Sequence, residues 1–421
     1  MPSPKVLVIN VAALAPEHIV RCPNIARLAR EGWAAPMDPV FPAVTCTVQA
    51  TLTTGVPPAQ HGIVANGLFD RDTLSFGFWE QPVKLVQAPR IWDLLKQRDP
   101  SKTCAILFWQ QCLYANADVI VTPKPIHNDH GGMIQWCYSK PVGYYEQLCR
   151  TLGNFKLHHY WGPLAGIGSS RWIANAAIAT LREKQPDLTL VYLPHLDYSS
   201  QKFGPQSPQL ERGLQQVDDL VGQIVAAAGP ETTVFVVSEY SITPVTGAIL
   251  PNRILRRAGL LAVREIAGRE YLDIEHSAAW AMVDHQVAHI YCQPGAVDAA
   301  RTTLSQEAGI EFRKPDHPRS GELVAVAPRD KWFAYYWWLD DRKAPPFARH
   351  IDIHRKPGYD PCELWFDWPW LRIPLRPDRV CGSHGRDDVP ATFVARGPAA
   401  PPRRERVAMT DVAGCILDCF R

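Results

Sequence analysis

A chain of 421 residues with 46% hydrophobic and 20% charged residues has an ordinary globular composition. At roughly 100–200 residues per domain it is too long for one small core. A formal net charge of +2 gives no electrostatic case for a nucleic-acid polymer or an anionic membrane surface as partner.

No apolar run approaches the ~20 residues of a membrane-spanning helix. The N-terminus, MPSPKVLVINVAAL, lacks the basic region, apolar core and small-residue cleavage site of a signal peptide. The eleven cysteines are scattered, with no C-x-x-C pair. That pattern fits reduced thiols better than a disulfide framework, so a cytoplasmic protein is expected.

Val6–Ile9 is a short β-branched run suited to a strand buried on both faces, and it ends at Asn10. Pro23–Glu31 has helical spacing, with Ile25, Leu28 and Ala29 on one face and Gly32 as a stop. Phe41–Phe69 packs five threonines between proline-marked turns. A hydroxyl-rich turn there runs into a helix, which sets a threonine at a helix N-terminus, where backbone N–H groups favour an anion. A plain N-cap is the alternative. Ile91–Lys96 is a further helix and Thr103–Phe108 a further buried strand.

From about Tyr114 to Ser170 periodicity fades, and histidine, glycine, proline and aromatic residues rise. Residues 114–170 are therefore expected to be an inserted cap or lid. Residues 1–113 and 171–421 form the core. Beyond the cap, helix Arg171–Arg182 precedes strand Leu188–Leu193, which runs into His195-Leu196-Asp197. Helix Gln209–Ala228 precedes strand Thr233–Val237, which ends at Ser238-Glu239-Tyr240. Trp280–Tyr291 carries His285 and His289; Glu322–Trp338 is aromatic-rich and reads as strand and core. Strands alternating with helices predict an α/β fold: a doubly wound, mostly parallel sheet with helices on both faces.

Three apolar strands thus end in Asn10, Asp197 and Glu239, and in open α/β sheets ligands sit beyond the carboxyl ends of strands. With Thr45 on its turn and His384 on a Gly-Ser-His-Gly turn, the result is a carboxylate–hydroxyl–imidazole cluster of the kind hydrolytic metal sites use. Taken singly, each residue also suits the capping of a neighbouring turn.

The motifs FPAVTCTVQATLTTG, QHGIVANGLFD, LPHLDYSSQKFGP, VSEYSITPV and GSHGRDDVPATFVARGP carry a resemblance. The chain resembles the alkaline phosphatase superfamily, in its nucleotide pyrophosphatase/phosphodiesterase branch. The resemblance implies that fold and a metal-dependent phosphodiesterase or pyrophosphatase acting on a small-molecule phosphate ester. Thr45 is its implied nucleophile and one or two divalent ions, zinc or manganese/magnesium, its cofactor. Thr47, Gln49 and Asn66 are the substrate-positioning candidates, and Trp161 a candidate wall of the substrate pocket.

The chain also departs from the family's ligand pattern. The inherited ligand positions are Asn10, Thr45, Asp197, Gln201, Glu239, Tyr240 and His384, where the family has carboxylates and histidines at Asn10, Gln201 and Tyr240 and an aspartate at Glu239. Fewer nitrogen ligands and less negative charge weaken zinc. Three outcomes stay open: a harder cation on oxygen ligands, replacement by another histidine, or no metal in an inactive or repurposed binding protein. His285 and His354 lead the replacements, each beside an acidic residue that would orient its ring. A phosphotransferase role is a further alternative. Substrate identity and oligomeric state are not legible in these residues.

Overall fold

The computed structural model describes residues 4–128 and 132–421. In chain order the elements that matter here are β1 Val6–Val11, α1 Pro23–Glu31, β2 Trp33–Asp38, α2 Thr45–Thr54, α3 Ile91–Arg98, β3 Cys104–Leu107, β4 Val119–Pro123 and β5 Cys137–Lys140. They are followed by α4 Ile167–Glu183, β6 Leu188–Leu193, α5 His195–Phe203, α6 Pro208–Ala228, β7 Thr233–Val237, β8 Ala279–Asp284 and β9 Val287–Cys292. Last come β10 Glu311–Arg313, β11 Leu323–Val326, β12 Ala391–Arg396, β13 Val407–Ala408 and α7 Asp411–Asp418.

One nine-stranded sheet in the order β13-β2-β12-β7-β1-β6-β3-β4-β5 organises the chain. Its centre, β7-β1-β6-β3-β4, is parallel, and antiparallel pairings flank it at β12 and β5. All six residues of β1 are buried. Leu7, Ile9 and Val11 face a core built with α1, α4 and α6. Val6 and Val8 face the opposite core, with α2, α3 and α7. Burial on both faces is why these strands read as unbroken apolar runs instead of alternating ones. Among the described residues no helix is long and apolar enough to cross a membrane.

The expected cap takes a different form. Within residues 114–170, β4 and β5 extend the main sheet, and Val119, Tyr144 and Phe155 join its core. Edge strands this short leave too little periodicity to be seen; residues 129–131 of that stretch lie outside the described residues. A second layer forms later, where β8, β9, β11 and β10 make a four-stranded antiparallel sheet in that order. Its core takes in Trp280, Phe333, Tyr335, Tyr336, Trp337 and Trp338, so the aromatic run is mainly packing.

Candidate functional site

The parallel centre of the sheet brings three strand ends to one crevice. Asn10, near the end of β1, stands level with Tyr192 of β6 and Val237 of β7. Glu239 lies two residues past β7, and Asp197 lies in the first turn of α5, just beyond β6. Helix α2 begins at the same crevice, with Thr45 as its first residue. All ten residues of α2 are buried, and it closes on Gly55 at φ 74°, a left-handed turn that favours glycine. His384 arrives from the far end of the chain, after the short strand Gly382–Ser383.

One half of the site centres on Glu239, which is fully buried. Its Oε1 accepts hydrogen bonds from Asn10 Nδ2 at 2.9 Å and Gln49 Nε2 at 2.5 Å. The Gln49 amide has one orientation, because its Oε1 accepts the Gln110 backbone N–H at 2.7 Å, leaving only its NH₂ for Glu239. Burial pushes the Glu239 carboxyl up to about 8, although Gln49, Asn10 and the Thr45 hydroxyl all favour its charged form. Glu239 Oε2 and Asn10 Oδ1 are buried and have no hydrogen-bond partner among the described residues.

The other half centres on Asp197. Its Oδ1 accepts from the Tyr240 hydroxyl at 3.1 Å and its Oδ2 from Gln201 Nε2 at 2.6 Å. Gln201 is oriented in turn by Tyr359, whose hydroxyl donates to Gln201 Oε1 at 2.9 Å. Burial pushes the Asp197 carboxyl up to about 7. Thr45 joins the halves: its Oγ1 lies 3.1 Å from the Tyr240 hydroxyl.

His384 packs against this half. Its Nδ1 bonds the Ala43 carbonyl at 2.8 Å. A carbonyl only accepts, so Nδ1 carries the proton and Nε2 is a lone pair. That Nε2 is buried without a hydrogen-bond partner, 3.8 Å from Asp197 Oδ1. A column of rings backs it. Tyr240 stacks on His384 at 3.4 Å, His285 lies 3.7 Å from His384, and Tyr359 lies 3.8 Å from His285. His285 Nδ1 bonds Asp284 at 2.7 Å.

The fold therefore brings Asn10, Thr45, Asp197, Gln201, Glu239, Tyr240 and His384 together. It does not leave all of them free to bind a ligand. Gln201 and Gln49 are engaged at both ends by internal hydrogen bonds. Asn66 serves structure: its Oδ1 accepts the Cys46 N–H, and its own N–H groups fix Asp284. Thr47 is buried with an unpartnered hydroxyl. His354 is exposed and takes no part, because its loop lies at the surface. His285 stands in the ring column, and its Nδ1 is spent on Asp284. Trp161 gives its indole N–H to Glu363, and its ring packs 5.3 Å from Tyr359 at a small side cavity of about 10 Å³ shared with Trp79 and Lys356. Tyr359 and Gln110 escaped the sequence reading, and Asp284 entered it only as the acid beside His285. The acid next to His285 was the one available signal for Asp284, while Tyr359 and Gln110 act through pairings that only the fold creates.

Among the described residues no lysine or arginine bonds Asp197 or Glu239, although both are buried. The orphaned atoms Asn10 Oδ1 and His384 Nε2 are lone-pair acceptors, and Glu239 Oε2 becomes one when its carboxyl is ionised. Buried acceptors without donors are costly, and a divalent cation within their reach would offset that cost. The donors are mostly oxygen, which suits magnesium or manganese better than zinc. Among the described residues, the one group of three His, Cys, Asp or Glu side chains whose ligand atoms all lie within 4.8 Å of one another is Asp273, Glu275 and His276, at the surface with two of them exposed; Asp197, Glu239 and His384 do not form such a group.

Comparison with known proteins bears on the family and the fold. Residues 6–360 match the family described as type I phosphodiesterase / nucleotide pyrophosphatase. A pyrophosphatase/phosphodiesterase of Schizosaccharomyces pombe, itself described as uncharacterized, is 23% identical over 336 residues; the match takes in 74% of this chain and 59% of that relative's length. Among solved structures, an inactive threonine-to-alanine variant of murine ectonucleotide pyrophosphatase/phosphodiesterase 5 in complex with AMP has a TM-score of 0.61 at 17% identity, over 99% of this chain and 96% of that one. Phosphonoacetate hydrolase of Sinorhizobium meliloti 1021 in complex with phosphonoformate has a TM-score of 0.63 at 16% identity, over 100% and 96%. At these identities the two structures speak for the fold alone.

Proposed function

The chain belongs to the type I phosphodiesterase / nucleotide pyrophosphatase family, and from that premise we propose that it hydrolyses a phosphodiester or pyrophosphate bond of a small organic phosphate, with the Thr45 hydroxyl as nucleophile. The observation that carries this reading is the position of Thr45: first residue of a buried helix, its hydroxyl 3.1 Å from Tyr240 and in reach of Glu239.

The chemistry follows from that position. The N-terminal N–H groups of α2 favour the phosphoryl oxygens. Thr45 Oγ1 forms a bond to phosphorus as the ester oxygen leaves on the opposite side, and water later cleaves the phospho-threonine. The threonine proton has a path, since the Tyr240 hydroxyl lies 3.1 Å from Thr45 Oγ1 and 3.1 Å from Asp197 Oδ1. Asn10, Glu239 and Thr45, with Asp197 and His384 beside them, would hold a divalent ion. Such an ion would lower the pKa of the threonine hydroxyl and offset the charge that two carboxylates set against a phosphate. The murine neighbour described with AMP makes nucleotides a reasonable first substrate class to test.

The test is release of product from aryl phosphate mono- and diesters and from dinucleoside polyphosphates, with magnesium, manganese or zinc. Thr45→Ala is expected to lose at least about 10³-fold in kcat/KM, and Thr45→Ser to retain part of the activity. Equal rates for wild type and Thr45→Ala with every metal overturn the nucleophile assignment.

A second reading, a non-catalytic phosphate-binding protein, is favoured by one feature: each Asp197 oxygen already accepts a hydrogen bond, from Tyr240 or from Gln201. Saturable AMP binding with no turnover on any of these substrates supports it.

A further inference from the structure

The polar atoms of the site divide unequally, and the division bears on how many ions it takes. On the Asp197 side every carboxylate oxygen has an internal donor. Gln201 cannot turn its carbonyl toward Asp197 without losing the Tyr359 hydrogen bond and setting two acceptors face to face. Tyr240 is held flat against His384, 7° from parallel, with its hydroxyl between Thr45 and Asp197. The one wholly unpartnered acceptor there is His384 Nε2, and each Asp197 oxygen keeps a second lone pair beside a hydrogen-bond donor that an ion would have to displace. On the Glu239 side, Glu239 Oε2 and Asn10 Oδ1 are buried and unpartnered, Asn10 and Glu239 are joined at 2.9 Å, and the Thr45 hydroxyl is in reach of the Glu239 carboxyl. The Gln49 amide, locked by Gln110 N–H, offers a donor to Glu239 and leaves the second carboxylate oxygen free.

We propose that this site holds one divalent ion, not two, on an all-oxygen set of Asn10, Glu239 and Thr45, and that the Tyr240–Asp197–Gln201 hydrogen-bond network stands where a second ion would otherwise sit. The inference deepens the hydrolytic reading by naming the class and number of its cofactor, and it rests on that reading for the metal's role. Oxygen ligands with one net negative charge among them select magnesium or manganese over zinc.

The test counts ions on the 421-residue chain. Protein stripped with EDTA is equilibrated with Mn²⁺, Mg²⁺ or Zn²⁺, desalted and assayed for metal by mass spectrometry, with the electron paramagnetic resonance of bound Mn²⁺ as an independent readout. The expected result is one Mn²⁺ per chain and loss of that ion in Glu239→Gln. Asn10→Asp, which adds a charge to the ligand set, should tighten Mn²⁺ about tenfold. The double variant Gln201→His, Tyr240→His should take up a second ion. Circular dichroism of each variant excludes loss of fold. Two ions on the wild-type chain, none under any condition, or an unchanged ion in folded Glu239→Gln overturns the proposal. The two readings fail separately. One ion without hydrolysis keeps this inference and sinks the hydrolytic one, whereas hydrolysis with two ions does the reverse.

Discussion

Two pairs of buried carboxylates in this chain differ in one respect. Asp360 and Glu363 share a buried lysine: Lys356 Nζ donates to Asp360 at 2.8 Å, to Glu363 at 2.5 Å and to the His350 carbonyl at 3.0 Å. Burial opposes the charge on Lys356, but the two carboxylates outweigh it and hold the ammonium above its usual range. Asp197 and Glu239 have only neutral donors, namely amides and hydroxyls, and burial drives both carboxyls up, to about 7 and about 8. The first pair carries its own cation; the second has no counter-charge among the described residues. An ion pair completed by the chain stabilises a fold, while a deficit left open in a crevice is what a functional site looks like.

The comparison breaks most visibly at Lys356. Lys356→Met strands two carboxylates with no counter-charge and should cost about 3–5 kcal/mol in urea unfolding. A loss below ~1 kcal/mol would mean that the cluster is solvated.

Glu239→Gln should act in the opposite direction in metal-free protein. The folded carboxyl titrates near 8 against an ordinary 4.5. Below pH 4.5 it is protonated whether folded or unfolded and imposes no penalty. As pH rises toward 8 the unfolded chain ionises first, and stability falls by up to about 1.4 kcal/mol per pH unit. Glu239→Gln removes this slope, so in EDTA its advantage over wild type should be small at pH 5 and a few kcal/mol at pH 8. Equal gaps at the two pH values would contradict the assignment.

Tyr359→Phe sharpens the comparison further. It removes the hydrogen bond that orients Gln201 and should cost about 1 kcal/mol. With the amide free to turn, metal uptake on the Asp197 side should rise, read as a second, weaker Mn²⁺ site. Smallest of all, Asp273→Ala in the surface cluster should leave the metal content unchanged, because Asp273 is already paired with Arg264 at 2.6 Å and its two neighbours in the cluster are exposed.

Much of the fold was legible in the residues themselves. The apolar runs at Val6, Leu188 and Thr233 became the parallel centre of the sheet, because burial on both faces forces such runs. The edge strands within residues 114–170 were not legible, being four or five residues long and mixed in polarity. In the site, Asn10, Asp197 and Glu239 were legible as strand ends and Thr45 as a helix start. Their hydrogen-bond states were not. Whether Gln201 offers its carbonyl or its amide is decided by Tyr359, which lies 158 positions away in sequence. Whether Glu239 keeps a free oxygen is decided by Gln49 and Gln110, placed by helix and loop. His354 read as a ligand because acids flank it, yet adjacency in sequence did not bring it to the crevice.

The most direct measurement is the melting temperature of wild type and Glu239→Gln as a function of free Mn²⁺. A cation bound only by the folded state stabilises as RT ln(1 + [L]/Kd), so the wild-type melting temperature should climb with the logarithm of Mn²⁺ while the variant stays flat. A flat wild-type curve, or parallel curves for the two proteins, would contradict a cation at Glu239.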